Sequence, residues 1–216
     1  EFEQYRDIYL SPSFSASFEK IEVQSTASDA IQKMEGNYKN VDFSYAITAD
    51  KRNQTFQPSS GYRAKFTQGI PIVQDSSSFL NGLEISTYHE LSEDVIGSFK
   101  FYGRSMHGVD DNVRLSNRLF LPQNRLRGFN TQRVGPKDSA DWIGGNFTYA
   151  AGFEAQLPNL LPEATKTDIS AFFDTGNVWG VDYSDTLYES NKIRSSVGFA
   201  ANVYTMIGPL SFVIAE

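Results

Sequence analysis

Apolar and polar residues alternate along most of this chain, with the period of two that is typical of β-strands. Between Ile8 and Glu19, one face carries apolar residues such as Phe14 and Phe18, and the other face carries serines. The pattern predicts nine strands, at residues 8–19, 41–50, 63–70, 81–90, 95–104, 143–157, 168–176, 193–204 and 210–215. Several of them approach the length of about ten residues that a tilted membrane strand needs.

The connections between these strands alternate between long and short, and the longest spans residues 105–141. Transmembrane barrels have short turns on one side and longer loops on the other, although the short connection near Ser76 is an exception. A soluble antiparallel sandwich alternates as well and remains an alternative. The polar faces favour the barrel because they are rich in Ser, Thr, Gly and Asn rather than Lys and Glu.

Composition narrows the classes of protein to which this chain can belong. The 216 residues correspond to one domain or a piece of one, and 14% of them are aromatic. No run of eighteen apolar residues occurs, so a membrane-spanning helix is excluded. The chain has no cysteine, which excludes disulfides and thiolate metal sites, and its net charge of −7 argues against a nucleic-acid binder. It begins at Glu1 without a signal peptide and stops at Glu216 directly after a predicted strand, so we expect truncation at both ends.

Enzymatic activity is not expected. The two histidines, His89 and His107, lie in different contexts, at a strand end and in a loop, and neither has a second histidine at metal-ligand spacing. Membrane hydrolases need a histidine beside a nucleophile or a carboxylate. We therefore expect no catalytic residues, no metal and no cofactor.

Two short motifs carry the most information. Arg127-Gly128-Phe129 lies in the longest loop, and Phe172-Phe173-Asp174-Thr175-Gly176 lies within a predicted strand. Because side chains alternate along a strand, Phe172, Asp174 and Gly176 share one face. An arginine in a loop can reach a carboxylate on the inner wall of a barrel only if the loop folds inward. Alternatively, the tripeptide is an ordinary surface turn, and another base such as Arg63, Lys65 or Arg104 neutralises the wall carboxylates.

Together these motifs resemble those of the BamA family, outer-membrane barrels within a superfamily that inserts or moves other proteins. Gly144-Gly145-Asn146, Gly208-Pro209-Leu210 and the turn at residues 58–61 strengthen the resemblance. It implies an all-β, antiparallel transmembrane barrel of roughly sixteen strands. Residues 1–216 would supply about nine strands of its second half, without the first strands, the POTRA domains or the last strand. We expect an open, curved sheet with the long loop folded into the lumen.

The resemblance also implies roles for individual residues. Arg127 would lie at the tip of the inward loop, and Gly128 would allow its tight turn. Asp174 and Glu154 would accept hydrogen bonds from the guanidinium, whose planar fork binds carboxylates better than lysine does. Phe129 and Phe172 would pack beside this pair, and Gly176 completes the wall motif.

The function implied by the resemblance is assembly of other membrane proteins. Such a factor would fold and insert β-barrel precursors in the outer membrane of a Gram-negative cell, without enzymatic chemistry. Its partners would be unfolded precursors, outer-membrane lipids, accessory lipoproteins and periplasmic chaperones, and not nucleic acid. A TamA-like factor, a two-partner secretion pore, and a passive porin-like barrel are the alternatives.

Overall fold

The computed structural model describes residues 2–74, 77–109, 112–158, 160–162, 165–182, 191–206 and 208–216. Among these residues, ten strands form one antiparallel sheet, and neighbours along the chain are neighbours in the sheet. The strands are β1 (Phe2–Tyr5), β2 (Ile8–Ile21), β3 (Gly36–Asp50), β4 (Gly61–Gln74), β5 (Ser78–Ser92), β6 (Val95–Gly108), β9 (Phe147–Leu157), β10 (Thr167–Trp179), β11 (Arg194–Thr205) and β12 (Gly208–Ala215). A separate two-stranded hairpin, β7 (Lys137–Asp138) and β8 (Asp141–Trp142), follows β6 and precedes β9 along the chain.

All nine predicted strands are present, most of them longer than predicted, and two further details differ. The short strand β1 was not predicted; it pairs with β2 through a turn in which Asp7 has a φ of 67°. The prediction that a strand begins at residue 143 is wrong, because β9 begins only at Phe147. Gly144 has a φ of 65°, and a Cβ on Gly145 would lie 2.5 Å from the carbonyl oxygen of Trp179. Residues 143–146 therefore form the base of the preceding loop.

The two faces of the sheet differ as the alternation predicted. The outer face carries large exposed apolar side chains, including Phe14 and Phe18, which are 73% and 80% exposed. Aromatic rings meet across neighbouring strands on this face, for example Phe99 and Phe153 with centroids 4.8 Å apart. A continuous apolar face of this kind is the surface that a transmembrane barrel presents to lipid.

Contacts of the β3–β4 connection with distant strands show that the sheet curls. In the connection from β3 to β4, Gln57 donates a hydrogen bond to Asp168 of β10 at 2.8 Å. In the same connection, the ring of Phe56 lies 5.4 Å from that of Tyr204 in β11. Strands β5, β6 and β9 lie between these elements in the sheet. The described part of the chain is thus a strongly curved partial barrel, with β1 and β12 as its edge strands.

The buried core lies between the long loop after β6 and the inner face of the sheet. The described part of this loop, residue 109 and residues 112–146, contains the hairpin β7–β8 and three 3-10 turns, Leu115–Asn117, Gln123–Arg125 and Thr131–Arg133. Its apolar side chains pack with those of the wall in one cluster: Tyr102, Leu121, Leu126, Val134, Ala150 and Val178. A core of loop against wall differs from the sheet-on-sheet core of a sandwich.

Helical structure is minor. The α-helix α1 (Asp29–Gln32) has 4 residues and lies between β2 and β3. Within the described ranges, no helix has the length and apolar character needed to cross a membrane.

Candidate functional site

Arg127 and Asp174 form a bidentate ion pair between the loop and β10. The Nε atom of Arg127 donates to Oδ2 of Asp174 at 2.7 Å, and Nη2 donates to Oδ1 at 2.8 Å. The backbone N–H of Arg127 also donates to Oδ2, at 3.1 Å. The Asp174 side chain is only 4% exposed and that of Arg127 18% exposed, so these charge-assisted bonds are made largely out of water. The loop folds inward, as the family resemblance implied.

The ion pair keeps Arg127 in its charged form. Burial of the guanidinium lowers the pKa of Arg127, whereas the hydrogen bonds to Asp174 and the negative charge of Glu154 raise it. The net effect is a pKa above the ordinary value for arginine. This cation is therefore permanent at any pH at which the protein functions.

Glu154 is the second carboxylate beside Arg127, and it has additional partners on the wall. Its Oε1 lies 3.5 Å from Nη1 of Arg127 and accepts a hydrogen bond from the Ser170 hydroxyl at 2.6 Å. Its Oε2 accepts from Nζ of Lys100 at 3.0 Å. Neither Lys100 nor Ser170 was identified from the sequence. Both lie diagonally across the strand pairing from Glu154, which only the register reveals.

Two aromatic residues of the motifs, Phe172 and Phe129, pack where the loop meets the wall. Phe172 is 3% exposed, and its ring centroid lies 3.6 Å from the guanidinium carbon of Arg127. This is close enough for a cation–π contact to add to the ion pair. Phe129 is partly buried and packs against the loop–wall cluster.

Two of the alternative bases considered for the wall carboxylates pair elsewhere, and the third lies on β4. Arg63 lies 3.7 Å from Asp50, and Arg104 lies 3.7 Å from Glu84. Lys65 is on the inner face of β4, since it pairs with Thr48 and Glu84 in register. The structure thus brings Arg127, and not these bases, to Asp174.

Glycines make the close approach of loop and wall possible. Gly128 has a φ of 85°, and a Cβ there would lie 2.8 Å from Cβ of Ala215. A Cβ on Gly152 would lie 2.8 Å from Oδ1 of Asp174, its direct partner across the strands. A Cβ on Gly176 would lie 2.9 Å from the carbonyl oxygen of Tyr149 and would also crowd the loop. The small residues therefore leave the space that the ion pair and the loop occupy.

Two further attachments of the loop were not predicted. The carboxylate of Asp182, which follows β10, accepts from the backbone N–H of Val113 at 2.7 Å and from the Asn146 amide at 2.6 Å. It therefore joins the two stems of the loop. Arg125 donates to Glu84 on β5 at 2.7 Å. Single charged residues in polar loops are too common for sequence reasoning to select these two.

These residues form a latch, which we define as Arg127, Glu154, Phe172 and Asp174. A cavity of about 690 Å³ lies beside it, lined among others by Lys100 and Phe129. The oxygen atoms of both carboxylates already accept hydrogen bonds from other groups of the protein. The arrangement can hold a loop inside a curved sheet, and the strength of the hold depends on the arginine.

A curved antiparallel sheet with an apolar outer face and a latched inner loop defines a class of membrane barrel. The comparison with known families agrees with that class. The chain belongs to the Omp85 superfamily, because the model of the Omp85 superfamily domain matches residues 3–216. The resemblance seen in the sequence motifs is thereby confirmed.

Individual relatives extend this comparison. The chain is 30% identical over 203 residues to the outer membrane protein assembly factor BamA of Neorickettsia risticii, covering 89% of this chain and 27% of that protein. It is 26% identical over 173 residues to the human sorting and assembly machinery component 50 homolog, covering 74% of this chain and 36% of that protein.

A solved structure shows the same fold. The crystal structure of BamA from Haemophilus ducreyi lacking POTRA domains 1-3 superposes with a TM-score of 0.81 at 20% identity. The match covers 99% of this chain and 48% of that one. The chain therefore spans about half, or less, of the length of the relatives that it matches.

Proposed function

We propose that this chain is the barrel part of an outer-membrane assembly factor that folds and inserts β-barrel precursors. The observation that carries the proposal is the latch, in which a buried arginine holds the long loop against β9 and β10. Membership of the Omp85 superfamily supports it, as do a bacterial relative named an outer membrane protein assembly factor and a human relative named a sorting and assembly machinery component.

The proposed mechanism uses binding rather than enzymatic chemistry. The loop occupies the lumen, so the wall strands keep a fixed curvature while their outer face contacts lipid. Unpaired strand edges are templates for another strand, and a precursor strand would add to an edge of the complete barrel by β-augmentation. Backbone hydrogen bonds would supply the affinity for many unrelated precursors, because they do not depend on side-chain identity.

The proposed function implies where the protein would lie and which molecules it would contact. The protein would lie in the outer membrane of a Gram-negative cell, with lipid around the apolar face. Unfolded precursors would be its substrates, delivered by periplasmic chaperones and handled together with accessory lipoproteins. No nucleic acid, metal or cofactor takes part in the proposal.

Depletion of the full-length parent protein in its host tests the proposal. The folded amounts of several unrelated outer-membrane barrels should fall together, which heat-dependent gel mobility measures for each barrel. Loss of one secreted protein alone would replace the proposal with a dedicated translocation pore. Unchanged levels of all the barrels would leave a passive, porin-like barrel.

A further inference from the structure

Arg114 is a buried cation of the long loop that the latch does not include. Its side chain is 7% exposed, and its guanidinium carbon lies 4.0 Å from the ring centroid of Tyr38 on β3. Nη2 donates to Oδ1 of Asn40 on β3 at 3.3 Å and lies 4.0 Å from Oε2 of Glu19 on β2. Arg114 thus contacts a wall from which β9 and β10 are separated by β4, β5 and β6.

The backbone next to Arg114 is held on the β9–β10 side of the sheet. Val113, adjacent to Arg114, donates its N–H to Asp182, which follows β10. The loop contacts the β2–β3 side a second time through β8, where Asp141 accepts from the backbone N–H of Ser28 at 3.0 Å. The loop is therefore fastened on both sides of the curved sheet, and Arg114 and Asp141 supply side-chain contacts on the β2–β3 side.

We propose that Arg114 is a positioning residue, a second wall anchor that makes the loop a crossbar between the β2–β3 wall and the β9–β10 wall. The two anchors would set the separation of the walls together, so that release of Arg114 loosens the seat of Arg127. This proposal deepens the proposed function. It rests on that function only where the insertion of precursors is the measured quantity.

The chemistry of the contact makes arginine specific at this position. A planar guanidinium stacks on an aromatic face, and the compact ammonium of lysine does so less well. Nε and Nη1 of Arg114 are buried and have no hydrogen-bond partner among the described residues. A leucine at this position removes those unpaired donors and leaves behind partners that are only partly buried. We therefore expect Arg114→Leu to fold, with its effect confined to the loop and to the separation of the walls.

The test measures the distance between the walls in the full-length parent protein, reconstituted in liposomes. Spin labels replace Ile47 on β3 and Phe173 on β10, two exposed outer-face positions. The variants are Arg114→Leu and Tyr38→Leu, which remove the stack, and Tyr38→Phe, which keeps it. The matched control is leucine at Arg133, an exposed arginine of the same loop.

Arg114→Leu and Tyr38→Leu should each give a longer and broader distance distribution and about tenfold faster amide exchange at residues 123–135. Tyr38→Phe and Arg133→Leu should match the parent in both measurements. The proposal that the loop is a crossbar would be overturned if Arg114→Leu gave the parental distance distribution. It would also be overturned if Arg133→Leu gave a change equal to that of Arg114→Leu. Because neither readout involves precursors, failure of the crossbar is distinguishable from failure of the proposed function, which depletion tests.

Discussion

Replacement of Arg127 by alanine should release the loop tip. The substitution removes two of the three donors to Asp174, leaving a carboxylate whose side chain is 4% exposed. Glu154 keeps its bonds from Lys100 and Ser170, so most of the cost falls on Asp174. Breaking a buried arginine–carboxylate pair on one side costs about 3–5 kcal/mol.

That cost predicts a measurable rate. Since about 1.4 kcal/mol corresponds to a factor of ten, the loop amides of Arg127→Ala should exchange about 10³ times faster than those of the parent. Hydrogen-exchange mass spectrometry of the full-length parent protein in liposomes, read at residues 123–135, measures this. Arg127→Lys should fall between the two, because lysine keeps the charge but not the bidentate fork.

Arg125 provides the matched control in the same loop. Its ion pair with Glu84 is as short as that of Arg127 with Asp174, at 2.7 Å, but the two side chains are 24% and 23% exposed. Solvent screening limits such a pair to about 1 kcal/mol or less, so Arg125→Ala should accelerate exchange only about fivefold. Equal acceleration in Arg125→Ala and Arg127→Ala would refute the argument from burial.

Further substitutions test other parts of the latch. Gly128→Ala adds a Cβ at a φ of 85° and 2.8 Å from Ala215, and should loosen the loop by about 1–3 kcal/mol in the same exchange assay. Gly208→Ala also adds a Cβ at a positive φ, of 122°, but has nothing within 4 Å and lies outside the loop, so it should leave loop exchange unchanged. Glu154→Gln removes the anion that binds Lys100 and should lower the free energy of unfolding by about 1–2 kcal/mol in urea titration. Gly176→Ala should overpack the wall and lower the free energy of unfolding by about 1–3 kcal/mol, which a lower urea midpoint would show. An unchanged midpoint would contradict the crowding inferred at Gly176.

The strands could be predicted because each face of the sheet meets one environment along its whole length. Residues such as Phe14 and Phe18 alternate with serines, and this pattern is readable without knowing the fold. The exceptions have local causes. Strand β1 has 4 residues and is too short for a pattern, and the strand predicted from residue 143 begins late because Gly144 adopts a left-handed conformation.

The four latch residues could be named from the sequence, but the residues around the latch could not. Arg127, Phe172 and Asp174 stand in motifs, so their meeting could be expected once the loop was assumed to fold inward. Lys100 depends on strand register, which alternation alone leaves open. Arg114 depends on how the loop crosses the lumen, and a long polar loop contains no periodic signal from which to read its path.

The most direct test of the account is insertion of a β-barrel precursor into liposomes that contain the full-length parent protein or one of its variants. The rate of appearance of folded, protease-resistant precursor is the measured quantity. The account predicts that Arg127→Ala lowers this rate about tenfold or more while Arg125→Ala stays within about twofold of the parent. Parental insertion by Arg127→Ala, with its loop shown by hydrogen exchange to be released, would contradict the claim that the latch serves insertion.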